Sequence, residues 1–249
     1  MITTQVLDKL RTFDTPTICN IIELFDIRPR SSGYMDGRIR ACFPEMPPIV
    51  GFAATATFRS SAPPPPGSDV YDNIEVQVKR FSELSGPPIV VFQDLDDPAV
   101  SATFGEIMCT SYMTFGSVGL ITSGAGRDLD QVRRIGFPVF TNGTISAHGY
   151  CHTPDVHVPV RVGGVMIYPD DLIHADVNGV TTIPKEIASE VAEVGDAYVA
   201  AEMVILNTLK EFGPDLKKYH EARKESKRQM QVLREQVSRK PEHRSEPVD

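Results

Sequence analysis

Four short apolar segments, separated by segments with helical character, constrain the fold of this 249-residue chain more than any other feature. The apolar segments are residues 49–58, 89–94, 117–124 and 138–143. Short, nearly continuous apolar runs are typical of strands buried on both faces of a parallel sheet. Helices are predicted between them at residues 71–84, at 103–112 and from Asp128 onward. This alternation predicts an α/β fold with a central, partly parallel sheet.

The second half of the chain has a different pattern. Residues 157–184 contain short β-rich runs broken by Gly163-Gly164 and by Asn178-Gly179, a pair that favours a tight hairpin turn. A β-rich C-terminal cap on the α/β core is therefore predicted. A long amphipathic helix should begin near Pro184, and a second, charged helix should follow.

The predicted domain organisation follows from these patterns. Residues 1–184 form the α/β domain, and residues 185–240 form a C-terminal helical extension, with Gly213-Pro214 separating its two helices. The last residues, 241–249, carry too little apolar surface to order themselves and are predicted to be a disordered tail.

Charge and cysteine content limit the partners to be expected. The net charge is −8, which opposes binding to a polyanion unless a basic patch is segregated. The C-terminal segment from residue 217 has such a basic bias, and a solvated helix explains it most simply. No apolar run approaches the roughly 18 residues that a membrane helix needs. The four cysteines form no CxxC pair, so we expect a reduced, cytoplasmic protein that binds neither nucleic acid nor membrane.

The stretch of residues 105–128 carries the strongest signal for chemistry. Gly105 and Glu106 open a predicted helix, a buried strand follows, and a glycine-rich turn then delivers Arg127 and Asp128. Ligands in α/β sheets gather beyond the carboxyl ends of strands, where helix N-termini offer unpaired N–H groups to anions. From the residues alone, a ligand-binding pair and a capping Asp beside a surface Arg are about equally supported.

Several motifs in order resemble the RraA-like family, which includes the regulator of ribonuclease activity A and the 4-hydroxy-4-methyl-2-oxoglutarate aldolases. They run from about Thr15 to Pro184: TPTICNII, GFAATAT, GEIM, then twenty residues, then RD, followed by GFPVF, VPVRVGGVMIYPDDLIHAD and NGVTTIP. The spacing of the acidic residue from the Arg-Asp pair is the most specific part. The resemblance implies an RraA-like swivelling β/β/α-type domain.

The resemblance to the aldolase branch also implies a metal-dependent chemistry. Asp128 would ligate Mg²⁺ or Mn²⁺, with water at most other positions, as suits a hard cation. Arg127 would be catalytic and would also bind the 2-oxo acid chelated by the metal, while Glu106 would have a general acid/base or orienting role. The implied substrate-binding residues are Gly105, Ile107, Met108 and Arg127.

The implied reaction is carbon–carbon cleavage of a small 2-oxo acid through a pyruvate enolate. Oxaloacetate decarboxylation forms the same enolate and should accompany aldol cleavage. Two alternatives remain open: a metal-dependent dehydratase of a sugar acid or related hydroxy acid, and a non-enzymatic binding protein that regulates a ribonuclease. Relatives assemble as trimers or hexamers with the active site between subunits, which makes Glu211, in EFGPD, a candidate contributed by a neighbouring subunit.

The chain departs from the pattern of this family at three positions. Asn20 stands where the aldolases carry an acidic residue, Ser123 where many relatives have Asp, and Asp170 where Gly is usual. These departures bear on which substrate the chain binds.

A cluster of metal-binding residue types lies between residues 148 and 157, in the pattern HxxCHxxxxH. This spacing matches no regular zinc site. A loop that lines the substrate pocket is favoured over zinc, with His148 or His152 facing the pocket.

Overall fold

A computed structural model of the chain describes residues 2–66 and 72–239. Its contacts divide the chain into two compact units: residues 1–16 with 33–188, and residues 17–32 with 189–249. The predicted disordered tail, 241–249, and the start of the helix predicted at 71–84 lie outside the described residues. The domain boundaries at 184 and 240 stay predictions.

The described helices and strands follow the predicted alternation. The helices are α1 (Thr4–Leu10), α2 (Thr15–Ile22), α3 (Asp72–Lys79), α4 (Glu106–Thr114), α5 (Leu129–Arg134), α6 (Ala188–Phe212) and α7 (Leu216–Val237). The strands are β1 (Arg40–Ala41), β2 (Ile49–Phe58), β3 (Pro88–Asp94), β4 (Ala102–Phe104), β5 (Gly119–Thr122), β6 (Ala125–Gly126), β7 (Val139–Thr141), β8 (Val160–Val162), β9 (Val165–Ile167), β10 (Leu172–Asp176) and β11 (Gly179–Ile183).

A seven-stranded sheet in the order β1-β7-β5-β3-β2-β10-β11 forms the centre of the first unit. Strands β7, β5, β3 and β2 are mutually parallel, whereas β1, β10 and β11 join antiparallel. The prediction of an α/β fold with a partly parallel sheet is confirmed. In the β-rich region, β10 and β11 continue this sheet, while β8 and β9 form a separate hairpin whose turn residues, Gly163 and Gly164, both have positive φ.

The buried strands explain the continuous apolar runs in the sequence. Within β3, Val90 and Phe92 belong to one core cluster, whereas Ile89 and Val91 belong to another. Side chains of a strand alternate between the two faces of a sheet, so each face needs its own apolar set. The sheet of the first unit is therefore buried on both sides.

The helix predicted at residues 103–112 begins later than expected. Residues 102–104 form β4, which pairs in parallel with β6, and α4 begins at Glu106. The Phe104 ring packs so closely over Gly126 that a Cβ at this glycine would overlap it. The prediction was wrong at Thr103 and Phe104 because this long-range pairing overrides their local helical pattern.

Asp170 has a structural role at a position where the resemblance predicts glycine. Its φ is +70°, a conformation that glycine adopts readily and Asp tolerates better than most residues. Its carboxylate accepts hydrogen bonds from the Ser85 N–H and hydroxyl and from Lys185 Nζ, at 2.6, 2.7 and 2.7 Å. Burial raises the pKa of Asp170, but these hydrogen bonds outweigh burial and leave the pKa below its ordinary value.

The second unit is built mainly from α6 and α7, with the break at Gly213-Pro214 where the sequence predicts it. Arg234 of α7 forms an ion pair with Asp26 at 3.0 Å. Tyr198 of α6 is buried, and burial raises its pKa to about 12. Among the described residues, no helix is long and apolar enough to cross a membrane.

Candidate active site

Two backbone segments that are far apart in sequence meet where β4 and β6 end. The Arg127 N–H donates to the Phe104 carbonyl at 3.0 Å, which extends the pairing of β4 with β6. The next residues, Gly105 and Asp128, are the N-caps of α4 and α5, respectively. The structure thus brings the Gly105 loop and the Arg-Asp pair together.

Asp128 is held at this junction by its backbone and by its side chain. Its φ is +56°, one of few left-handed conformations of non-glycine residues here, and its carbonyl begins α5 by accepting from the Val132 N–H. Its Oδ2 accepts a hydrogen bond from the Glu106 N–H at 3.1 Å and lies 3.8 Å from Arg127 Nε. Side chains of the pair are 33% and 35% exposed, so both can reach a ligand.

Gly105 allows this close approach because it lacks a side chain. A Cβ at this position would lie 2.6 Å from Asp128 Oδ2 and 3.1 Å from Arg127 Nε. Its backbone is extended, with a φ of −150° that any residue can adopt. Glycine is therefore required at this position only because there is no space for a side chain. The sequence places a glycine here because the Arg-Asp pair occupies the space of a side chain.

A cavity of about 150 Å³ opens beside the pair. Its lining residues are Ala102, Thr103, Phe104, Gly105, Glu106, Ile107, Met108, Arg127, Asp128, His148 and Cys151. The structure therefore gathers Gly105, Glu106, Ile107, Met108, Arg127 and Asp128, which the sequence singled out, around one space. Helix geometry leaves the N–H groups of Ile107 and Met108 without an acceptor in α4, so they can bind an anion.

The loop around residue 150 contributes two further side chains to this cavity. His148 and Cys151 line it, whereas His152 does not, so the structure decides between the two histidines that the sequence left open. Cys151 is buried, and burial raises the pKa of its thiol although the charge of Arg127 opposes this effect. His152 bonds to the Tyr150 carbonyl, and His157 lies 3.7 Å from Glu83.

No zinc site is assembled from this loop. Across residues 2–66 and 72–239, no group of three or more His, Cys, Asp or Glu side chains gathers as a metal-binding cluster. His148 is paired with Cys151, and the other two histidines of the pattern bond elsewhere, as given above.

A second cavity, of about 350 Å³, shares Arg127 and Asp128 with the first. Its other lining residues are Gly126, Leu129, Thr144, Ile145 and Ser146. Sequence reasoning missed this half of the site, since residues 144–146 carry no recognisable motif. The only sequence signal was their place just after the strand that ends at Thr141.

Asp94 is another polar residue that sequence reasoning missed. It lies at the carboxyl end of β3, beside a polar cavity of about 350 Å³, and burial raises its pKa to about 6. Its N–H donates to Ser123 Oγ at 2.9 Å, which gives Ser123 a structural role where the resemblance predicts Asp. An acidic residue directly after a buried strand was the signal that could have identified it.

Two residues that the sequence analysis singled out, Asn20 and Glu211, belong to the second unit. Asn20, where the resemblance predicts an acidic residue, hydrogen bonds with Tyr198. Glu211 lies in the last turn of α6, and its role in a neighbouring subunit stays a prediction.

Comparison with known proteins identifies the family. The chain belongs to the RraA-like family, whose model, described as Aldolase/RraA, matches residues 3–182. A protein of Halalkalibacterium halodurans named "Putative 4-hydroxy-4-methyl-2-oxoglutarate aldolase" is 35% identical over 115 residues. That match covers 46% of this chain and 54% of the relative, so the chain spans about half the length of this relative.

Solved structures share the fold. An uncharacterised protein from Pseudomonas syringae pv. tomato superposes with a TM-score of 0.69 at 23% identity, covering 90% of this chain and 94% of the other. Streptomyces coelicolor RraAS2, described as an unusual member of the RNase ES inhibitor RraA protein family, superposes with a TM-score of 0.64 at 22% identity, covering 82% and 97%. At these identities the likeness shows the RraA fold alone.

Proposed function

We propose that this chain is a divalent-metal-dependent lyase that cleaves a carbon–carbon bond of a small 2-oxo acid through a pyruvate enolate. The carrying observation is the single small cavity that Arg127, Asp128 and the N-terminus of α4 share. Such a substrate requires three groups in one cavity: a site for its carboxylate, a carboxylate that binds the cation, and a guanidinium in a fixed position.

The residues of this cavity fit a divalent cation. The Asp128 carboxylate lines the cavity, and the hydrogen bond that it accepts from the Glu106 N–H uses only one of its two oxygens. Mg²⁺ and Mn²⁺ are bound through one or two carboxylates with water completing the shell, so Asp128 is the residue that would hold the ion. The bound ion would supply Lewis-acid stabilisation of negative charge on the 2-oxo acid.

The side chains and amides around the ion would bind and orient the substrate. The N–H groups of Ile107 and Met108 receive the 2-oxo acid carboxylate at the positive end of the α4 dipole. Arg127 donates hydrogen bonds to the substrate oxygens and balances the charge that develops on the enolate. Glu106 is exposed at the first turn of α4, where it can orient water or transfer a proton.

The substrate class follows from this chemistry. Both 4-hydroxy-4-methyl-2-oxoglutarate and oxaloacetate break the bond that releases a pyruvate enolate, so aldol cleavage and decarboxylation should occur in one site. We also propose a trimer or hexamer in which Glu211 of a neighbouring subunit approaches the cavity; light scattering of the purified chain measures this state.

The substitution Asp128→Ala tests the proposed function. The wild-type chain with Mg²⁺ or Mn²⁺ should release pyruvate from both substrates, and the variant should lose at least about a hundredfold in rate. A coupled assay for pyruvate measures the rates, and mass spectrometry of the products separates cleavage from loss of water. Asp130→Ala is the matched control, because Asp130 is two residues away, 82% exposed and not part of the cavity lining.

Two results would contradict the proposal. One is the absence of pyruvate from a broad panel of 2-oxo acids with metal supplied. The other is equal loss of activity in the Asp128→Ala and Asp130→Ala variants, which would indicate a general effect on folding.

A further inference from the structure

The imidazole of His148 is a polar group of the cavity that the proposed function leaves without a role. It lies in a loop, it is exposed, and it lines the same cavity as Glu106, Arg127 and Asp128. We propose, on the basis of the proposed function above, that His148 is the base that removes the hydroxyl proton when the carbon–carbon bond of an aldol substrate breaks.

The loop holds His148 in a defined place. On one side of it, the Ala147 carbonyl accepts from the Ala102 N–H of β4 at 3.0 Å. On the other side, Gly149 has a φ of +59° and packs so tightly against Ser101 that a Cβ would lie 2.8 Å from its hydroxyl. Because both neighbours are fixed on residues 101–102, the imidazole is pre-positioned at the cavity.

The hydrogen bond made by the ring fixes its tautomer. His148 Nδ1 lies 3.2 Å from the Gly149 carbonyl, which can only accept a hydrogen bond, so Nδ1 carries the proton. In the neutral ring, Nε2 then presents a lone pair, as a general base requires. A backbone carbonyl that holds the other ring nitrogen is the usual way to orient such a histidine.

The neighbouring thiol does not compete for this role. Cys151 Sγ lies 3.6 Å from His148 Nε2 and 3.7 Å from Nδ1, and burial raises the pKa of this thiol. A protonated thiol is only a weak hydrogen-bond donor, so a substrate hydroxyl can displace it from Nε2. Arg127 has no acceptor atom, and the proposed function assigns the Asp128 carboxylate to the cation. Glu106 and His148 therefore remain as the two proton acceptors of the lining.

The proposed step balances in atoms and charge. Nε2 takes the proton of the C4 hydroxyl, C4 becomes a carbonyl, and the electron pair of the C3–C4 bond passes to the pyruvate enolate. C3 then takes up one proton, and His148 releases the one it gained, so no further reactant is needed. In oxaloacetate decarboxylation the leaving group is a carboxylate, which has no hydroxyl proton to remove.

This difference between the two reactions provides the test. His148→Gln should slow cleavage of 4-hydroxy-4-methyl-2-oxoglutarate about a hundredfold in kcat and change oxaloacetate decarboxylation by no more than about twofold. Added imidazole should partly restore cleavage in His148→Ala, which a merely structural role would not produce. His152→Gln is the matched control, because its ring also bonds to a backbone carbonyl at 3.2 Å but does not line the cavity.

The outcomes separate the base assignment from the proposed function. If the wild-type chain performs both reactions and His148→Gln slows both equally or neither, the assignment of His148 is overturned while the proposed lyase stands. A cleavage rate in His148→Ala that imidazole does not raise also overturns it. If the wild-type chain performs neither reaction, both proposals fail together.

Discussion

The substitution Gly105→Ala should damage the site while leaving the fold intact. An alanine Cβ would lie 2.6 Å from Asp128 Oδ2, closer than real Cβ contacts allow. The backbone of Gly105 is extended, so alanine adopts it without strain. The carboxylate is the part that can move, and its movement breaks the hydrogen bond from the Glu106 N–H.

The cost to stability can be worked from these contacts. Loss of a hydrogen bond to a charged group costs about 1.5–3 kcal/mol, and the lower half applies because Asp128 is 35% exposed. Alanine is also a poorer N-cap than glycine by about 0.5–1 kcal/mol. Alanine also lowers the conformational entropy of the unfolded chain, which stabilises the folded state by about 0.4–1 kcal/mol. The net loss should be about 1–3 kcal/mol in the free energy of unfolding.

The effect on ligand binding should be larger than this loss of stability suggests, because the displaced group is the proposed metal ligand. We expect Mn²⁺ affinity to fall by more than about tenfold and pyruvate release to fall with it. Urea denaturation and calorimetric titration with Mn²⁺ measure the two effects separately. Gly37→Ala is the control, since a Cβ at Gly37 meets nothing within 4 Å. A Gly105→Ala variant with wild-type stability and wild-type Mn²⁺ affinity would refute the reasoning.

Two further substitutions test the packing that supports the site. Burial raises the pKa of Asp94 in the folded chain to about 6. Between about pH 4 and 6 this carboxyl is therefore protonated in the folded chain and ionised in the unfolded chain. The free energy of unfolding falls by about 2–3 kcal/mol as the pH rises through this range. Asp94→Asn should therefore be more stable than wild type at pH 8 by about 2–3 kcal/mol and nearly equal to it at pH 4 in urea denaturation. An equal difference at both pH values would contradict this. Tyr112→Phe should lower the free energy of unfolding by about 1–3 kcal/mol, because the buried Tyr112 hydroxyl donates to Gln77 Oε1 at 2.6 Å and its loss leaves that oxygen without a hydrogen bond. An unchanged urea denaturation curve would show that this hydrogen bond does not stabilise the fold.

The elements with clear local patterns could be predicted from sequence. Strand β2 has the predicted bounds, and α6 and α7 are separated at the predicted Gly213-Pro214 break, because apolar periodicity and helix breaks are local signals. The start of α4 could not be predicted in the same way. Residues 102–104 adopt a strand only because residues 125–126 lie beside them, and local propensity contains no information about that neighbour.

The candidate site shows the same division between local and long-range information. The residues of GEIM and the Arg-Asp pair were identified from their motif, and the structure gathers them around one cavity. Cys151 belongs to the loop predicted to line the pocket but was not itself predicted to face it, and Thr144 and Ser146 were not predicted at all. These residues reach the site through a loop whose path depends on pairings such as the one between Ala102 and Ala147, which no spacing in the sequence reveals.

The spacing of the motif has a geometric cause that explains why it was informative. Between Glu106 and Arg127 the chain forms α4, crosses in β5 and returns in β6, which pairs in parallel with β4. A parallel pair requires a crossover connection, and the lengths of α4 and β5 determine how many residues that connection needs. The proposed function requires only that Glu106 and Arg127, at the two ends of this connection, lie close together. The twenty intervening residues correspond to the length of one crossover connection. The motif therefore identifies two helix N-termini that are in contact, and Arg127 and Asp128 supply the functional groups at that contact.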